Sequence, residues 1–278
     1  MKVSIVTISF NQAQFLERAI RSVLEQDYGD IEYIVVDAGS TDGSRDIIER
    51  YRDRLAKVVF EPDEGPADGL NKGFAHATGE IFGYINADDA YLPGAIGKVV
   101  AALRARSDAD VVSGHGFIVD ADGTVLRRFY SDRFAAWRYV HGGVTVMQQS
   151  TFFRREAFHA AGGFNPENRI WWDGELLLDM CLAGSRFTVV NDFWSIFTIH
   201  EASISGQRGG ESEAARRLDE LRSTTHERFY RKVMGRPPDG RARLWTAVAR
   251  VQKWLLQPVG TFWRVFEKLG FRFDEQRF

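Results

Sequence analysis

A single cysteine, Cys181, stands in 278 residues, which excludes an intramolecular disulfide and a cysteine-built zinc site. That scarcity fits a reducing compartment, with the cytoplasm as the default location. An excess of charge of one sign is also missing. The chain has 36 Lys and Arg against 38 Asp and Glu, a formal charge of -2, so bulk electrostatics offers no argument for a nucleic acid partner. No run approaches the roughly 20 consecutive apolar residues that span a bilayer, and any membrane attachment is therefore expected to be peripheral. The apolar stretch within Met1 to Ser9 is too short for a signal peptide, has no small-residue cleavage site after it, and reads as a strand. Internal repeats and low-complexity segments are lacking. So is a Gly-x-Gly-x-x-Gly turn after that first strand, where Ser9-Phe10-Asn11-Gln12 stands instead, which disfavours a dehydrogenase.

What is present is 44% hydrophobic content, enough for a substantial core, in an ordered alternation. Short β-branched runs at Val3 to Ser9, Tyr33 to Asp37, Val58 to Glu61, Ile81 to Asn86 and Val111 to Ser113 are separated by helical patterns near Gln14 to Glu25, Ser44 to Tyr51, Ala67 to Ala77 and after Pro93. Strands in this rhythm predict an α/β fold with a doubly wound, mostly parallel sheet and helices on both faces. After about residue 115 the rhythm changes. Phe117-Ile118-Val119 and Val125-Leu126 flank Asp120-Ala121-Asp122-Gly123 and read as a hairpin. Helices are expected near Arg155 to Ala161 and Glu175 to Ala183, each closed by glycine, and Gln207 to Ser212 reads as a polar loop.

In an open α/β sheet, ligands collect beyond the carboxyl ends of the strands. Four polar clusters follow apolar runs: Ser9 to Gln12, Asp37 to Ser44, Asp63-Glu64-Gly65 and Asn86-Ala87-Asp88-Asp89. A diphosphate held there without a glycine-rich turn needs other neutralisation, and carboxylates at a strand end suit a divalent cation, Mg2+ or Mn2+. Two adjacent acids also fit a solvated loop, and Asp89 a helix cap near Pro93.

Ser4-Ile5-Val6-Thr7-Ile8-Ser9-Phe10-Asn11, Val35-Val36-Asp37-Ala38-Gly39-Ser40-Thr41-Asp42-Gly43, Gly79-Glu80-Ile81 and Tyr84-Ile85-Asn86-Ala87-Asp88-Asp89 follow one another at a spacing that resembles glycosyltransferase family 2, with the GT-A fold. The resemblance extends over roughly residues 1 to 205, through Gln148 to Arg154, Gly162-Gly163-Phe164 and Trp172-Asp173-Gly174-Glu175, and not into the tail. It implies a nucleotide-binding half at 1–115 and an acceptor-side half at 116–205, while 206–278 is expected, from its own apolar spacing, to be a helical C-terminal extension.

For the site, the resemblance implies that Thr7, Ser9 and Asn11 border the nucleotide, and that Asp37 accepts a bond from the base beside Gly39. A turn-forming Asp37 is the alternative. Asp63 and Asp68 are donor-side candidates, with a loop acid and a helix N-terminal acid as alternatives. Asp88 matches the last acid of the family's Asp-x-Asp motif, while Asn86 takes the place of its first. Asp88 is therefore the expected ligand of the cation, Asn86 a weaker donor-side contact, and Asp89 a group that positions a ligand or touches the sugar. His200 matches a late histidine that reaches the metal or diphosphate, with Ser203 and Ser205 trailing it, and a structural histidine is the alternative.

An inverting transfer needs a base for the acceptor hydroxyl. Asp173 takes that role by resemblance, with a helix N-cap as the alternative and Glu175 in reserve. Gln149 and Trp172 are expected on the acceptor side, and Arg154 near the centre of the site. The implied activity is metal-dependent, inverting transfer from a nucleotide sugar, a UDP-sugar first among donors, to a saccharide or lipid-linked acceptor. A binding module without turnover and a nucleotidyltransferase are the alternatives. From Leu244 onward apolar residues recur at helical spacing among Arg250, Lys253, Arg264 and Lys268. This amphipathic tail packs on its own domain or a second subunit, or contacts a membrane through 244–270 with Trp245, Trp254 and Trp263.

Overall fold

The computed structural model describes residues 1–200 and 213–256, together with positions 258, 260, 262, 263 and 266. Its first half follows the alternation in the sequence. Strand β1 (Val3–Ser9), helix α1 (Ala13–Leu24), β2 (Ile31–Asp37), α2 (Ser44–Arg50), β3 (Lys57–Phe60), α3 (Pro66–Phe74) and β4 (Ile81–Asn86) build a parallel sheet in the order β3-β2-β1-β4. The central strands are buried on both faces. Val3 and Ile5 of β1 join one core with Leu16 and Ile20 of α1, and Val6 joins the other with Leu70 and Phe74 of α3. Side chains alternate faces along a strand, so a near-continuous apolar run feeds two cores at once. Gly73 permits the close seat of α3, because a Cβ there would collide with the Val6 side chain.

The second half is mixed. It contains β5 (Ala90–Tyr91), α4 (Ala95–Ala105), β6 (Val111–Val119), β7 (Val125–Phe129), α5 (Ala136–Val140), β8 (Thr151–Arg154), α6 (Arg155–Ala160), α7 (Trp172–Leu182) and β9 (Phe187–Thr198). β8 inserts between β4 and β6, antiparallel to both, so the fifth expected strand runs in the direction of β4 without pairing with it. The α/β class holds, with a hydrophobic core on each face of the sheet. The predicted hairpin is β6 and β7, with Asp120 Oδ1 accepting from the backbone of Asp122 and Thr124 and Gly123 at φ 81°. β9 has no counterpart among the expected strands, although Phe187-Thr-Val-Val and Phe193-Trp-Ser-Ile-Phe-Thr are rich in strand-forming residues.

Two long helices follow, α8 (Glu213–Met234) and α9 (Ala242–Leu256). Phe229 and Tyr230 of α8 enter the core shared by α3 and α7. On α9, Ala249 lies against Gly143, and Lys253 pairs at 2.8 Å with the buried Asp132. The tail helix thus packs on its own domain along one face. The polar segment 207–212 and the pair Ser203 and Ser205 lie outside the described residues.

Candidate active site

The carboxyl ends of β1 and β4, the turn at Gln148–Ser150 and the start of α7 enclose a cleft of about 790 Å³. Ser9, Asp63, Asn86, Asp88, Gln149 and Asp173 are among its lining residues. Expected site residues from segments far apart in sequence thus converge on one cavity.

At the end of β4, Asp88 and Asp89 point in different directions. Asp88 Oδ2 lies 3.1 Å from His200 Nε2, whose ring stacks obliquely on Phe15 at 4.6 Å. Asp89 is fully buried and does not line the cleft. Its Oδ1 accepts from the Thr198 backbone at 2.9 Å, and its Oδ2 from Gln149 Nε2 at 2.8 Å and Asn86 Nδ2 at 3.2 Å. Burial pushes this carboxyl up, Asp88 adds to the rise, and these donors oppose it. Asp89 thus accepts from three neighbours behind the cleft wall. The bond from Asn86 Nδ2 leaves Asn86 Oδ1 buried without a hydrogen-bond partner among the described residues, as is Ser9 Oγ, whose residue also lines the cleft. Unsatisfied polar atoms buried in a cavity wall are costly unless a ligand meets them.

Arg18, which carries no motif signal in the sequence, bridges this centre. Its Nη2 donates to the Asp88 carbonyl at 2.8 Å and to Thr198 Oγ1 at 2.6 Å. Burial pulls the Arg18 pKa down while Asp89 and Asp88 push it up. The residue ties the end of β4 to the end of β9.

The donor-side expectations separate into groups. Asp37 is fully buried and does not line the cleft. It accepts from the backbones of Gly39 and Ser40, from Ser40 Oγ at 2.5 Å and from Arg45 Nε at 2.9 Å. Burial would raise its carboxyl, but those bonds hold it below the ordinary value. These bonds form a turn, with Gly39 at φ 118° completing the loop. Thr7 faces the core and accepts from Tyr33 Oη at 2.9 Å. Asn11, at φ 52°, accepts from the Thr41 backbone and so fastens the same loop. Asp68, in the first turn of α3, is engaged by Lys72 at 2.8 Å, which holds its carboxyl low, and it does not line the cleft. Asp63 does face the cleft, where burial pushes its carboxyl up.

On the other side, α7 starts at Trp172, three residues before the expected Glu175. Trp171 takes the left-handed conformation at φ 49° and its carbonyl accepts from the Glu175 backbone at 2.9 Å. Asp173 thus lies inside the first turn and is not the N-cap. Burial raises its carboxyl, with the Gly174 backbone N–H working against the rise. Trp172 lines the cleft while wedged against Tyr84 and Phe164, and the neighbouring Trp171 is 41% exposed.

Glu175 points elsewhere. Its Oε2 accepts from Asn165, Asn168 and Arg228, a buried hub that locks α7 to α8, while Oε1 has Lys232 Nζ at 3.7 Å, and the residue does not line the cleft. Arg154 is also remote. It pairs in register with Ile81 at the start of β4 and donates to the Ala109 and Ser107 carbonyls, at the opposite end of the sheet from Asp88. Sequence reasoning carries no signal for Arg222 and Leu218 of α8, which close one wall of the cleft.

No group of three or more His, Cys, Asp or Glu gathers as a cation cage among the described residues. Asp88 and His200 form a donor pair, and the buried Asn86 oxygen belongs to the same cleft-lining strand end. Such a set fits a hard divalent cation that completes its shell with substrate phosphates and water.

A family model described as glycosyl transferase family 2 matches residues 4–162, more than half of the chain. An uncharacterized glycosyltransferase of Nostoc sp. is 30% identical over 215 residues, covering 73% of this chain. The match spans 66% of that relative's length, just under two thirds. Residues 1–349 of S. aureus TarS, in a crystal structure with UDP-GlcNAc, superpose with a TM-score of 0.65 at 18% identity, over 94% of this chain and 75% of that one. The mannosyltransferase PcManGT of Pyrobaculum calidifontis, in complex with GDP-Man and Mn2+, gives a TM-score of 0.60 at 20% identity, over 98% and 76%. At these identities the structures speak for the fold alone.

Proposed function

The chain belongs to glycosyltransferase family 2, and from that premise we propose that it transfers a sugar from a nucleotide diphosphate to a saccharide or lipid-linked acceptor, with inversion at the anomeric carbon. One observation carries the reading: Asp173 and Asp88, the latter paired with His200, line a single cleft. A base and a diphosphate-holding centre on one cavity are what a direct displacement needs.

Asp173 takes the proton of the acceptor hydroxyl as its oxygen attacks the anomeric carbon. The bond from that carbon to the diphosphate oxygen breaks, its electron pair leaves with the nucleoside diphosphate, and the configuration inverts. Burial of Asp173 favours this role, because a carboxylate of raised pKa is a better proton acceptor. Asp88 and His200 would hold a Mn2+ or Mg2+ ion, with Asn86 Oδ1 as a neutral contact. That cation supplies charge neutralisation for the departing diphosphate. Asp89, Arg18 and Gln149 keep this centre in register. The loop that Asp37 and Asn11 fasten borders the nucleotide, with the base meeting its backbone and Ala38. Trp172, and Trp171 beside it, offer faces on which a sugar ring stacks.

A UDP-sugar is the proposed donor, in line with the UDP-GlcNAc bound by TarS, and the setting is surface polysaccharide or glycan assembly at a cytoplasmic site. No described helix is long and apolar enough to cross a membrane. A panel of nucleotide sugars with Mn2+ tests the donor by thermal stabilisation, since a ligand bound only by the folded state raises its melting point. The mechanism is tested by the anomeric configuration of the product. Net retention from an α-linked donor defeats it. Asn86, standing where the family's motif has an aspartate, favours one rival, a donor-binding module without turnover. Stabilisation without any transfer or donor hydrolysis would decide for that rival.

A further inference from the structure

Helix α9 has two faces with different fates. Its docked side carries Ala249 against Gly143, Lys253 in its buried pair with Asp132, and Trp245 with its ring 6.0 Å from that of Trp137. The opposite side is apolar and exposed: Leu244 is 60% exposed, Val251 59%, Trp254 56% and Leu255 75%. At 100° per residue, Leu244, Val251 and Leu255 fall on one stripe, Trp254 borders it, and Ala249 and Lys253 lie on the far side. Arg243 and Arg250 flank the stripe beside Trp254 and are exposed. No acidic residue occurs between Asp239 and Glu267. At the C-terminal end of α9, Leu256 shares the wall of a basin of about 320 Å³ with Arg106, Arg133 and Arg186, against the single acid Asp108 in its lining. Arg186 reaches Asp108 and Asp110 only at 3.8 and 3.7 Å.

We propose that the outer face of α9, with Arg243 and Arg250 at its edge, and the arginine basin at the helix's C-terminal end form a docking surface for an anionic phospholipid bilayer. The apolar stripe enters the boundary between headgroups and acyl chains, Trp254 sits at headgroup depth, and the arginines meet the phosphates. Charge complementarity selects this occupant. A second copy placed symmetrically on the stripe would bring its own Arg243 and Arg250 towards the same basic surface, with no acid on α9 to receive them. The buried pair of Lys253 with Asp132 gives the helix a fixed seat, so the surface is present before the membrane is met. This docking is independent of the proposed sugar transfer.

Flotation of the full chain with phosphatidylcholine vesicles, with and without phosphatidylglycerol, tests the proposal. Recovery with the anionic vesicles, weakened by salt and absent with neutral ones, is expected. Val251→Glu and Leu255→Glu should each lower partition at least about tenfold, and Arg106→Gln or Arg186→Gln about fivefold. All these side chains are at the surface, so thermal melts should match the parent chain, and the salt and lipid dependence of the parent protein is informative without any variant. Equal recovery with neutral vesicles overturns the proposal. So does stabilisation by inorganic phosphate without vesicle binding, or a dimer by light scattering that Leu255→Glu dissolves while vesicle recovery is nil.

Discussion

Asp89→Asn replaces a single atom in a side chain that does not line the cleft, and it should still weaken both the fold and donor binding. The carboxylate serves three donors: the Thr198 backbone on Oδ1, and Gln149 Nε2 and Asn86 Nδ2 on Oδ2. An asparagine has one oxygen. If that oxygen faces Gln149 and Asn86, its amino group meets the Thr198 N–H, which cannot turn away. If the oxygen faces Thr198, both side-chain amides must rotate, and Asn86 then presents Nδ2 to the cleft in place of Oδ1. Either arrangement loses a charge-assisted bond in a buried site, about 1.5–3 kcal/mol, and Arg18 loses a neighbouring negative charge. At roughly 2–4 °C per kcal/mol for a chain near this size, the melting point should fall by roughly 3–12 °C. Calorimetric titration with a nucleoside diphosphate and Mn2+ should show weaker binding. In an Asn86→Ala background, Asp89→Asn should have little further effect on that affinity, because the route runs through Asn86. A variant that melts and binds like the parent chain would refute the reasoning and would mean that the Asp89 carboxyl is neutral in the fold.

Asp173→Asn should lower turnover by about 10²–10⁴-fold while donor-induced stabilisation persists; near-normal turnover would remove Asp173 as the base. Because burial raises the Asp173 carboxyl, the acid limb of the pH–rate profile should lie above the ordinary carboxylate value of 3.8, and a limb at or below it contradicts the assignment. The same shift makes folding more favourable below pH 3.8, an advantage lost as pH rises through the folded value. Chelation by EDTA should abolish donor-induced stabilisation, with Mn2+ restoring it; stabilisation unchanged by chelator counts against a cation at Asp88 and His200. Glu32 supplies a stability test of opposite sign. Burial would raise its carboxyl, but bonds from Lys2, Ser4 and Thr78 bring it from 4.5 to about 2. Its contribution is therefore complete above pH 4.5 and lost as pH falls towards 2, and Glu32→Gln should flatten that part of an acid-unfolding curve.

From the residues alone come the alternation of strands and helices in the first half, the class of fold, and the strand ends where chemistry collects. These are local properties: a β-branched run between helical periods specifies its own conformation, and polar residues after it fall at the sheet's rim. The motifs also single out Asp88, His200 and Asp173, which folding brings to one neighbourhood. Where each acid points was decided in three dimensions. Asp37, Asp68 and Glu175 stand beside site motifs in the chain, and in the fold each pairs with an internal donor, Arg45, Lys72 and Arg228 respectively, away from the cleft lining. Arg154 falls at the wrong end of its strand because β8 runs antiparallel to β4. Arg18 and Arg222 come to the site from helices whose periodicity gives no hint of it. A carboxylate's role depends on which donors reach it, and those donors come from distant segments that only the folded sheet brings within hydrogen-bonding range.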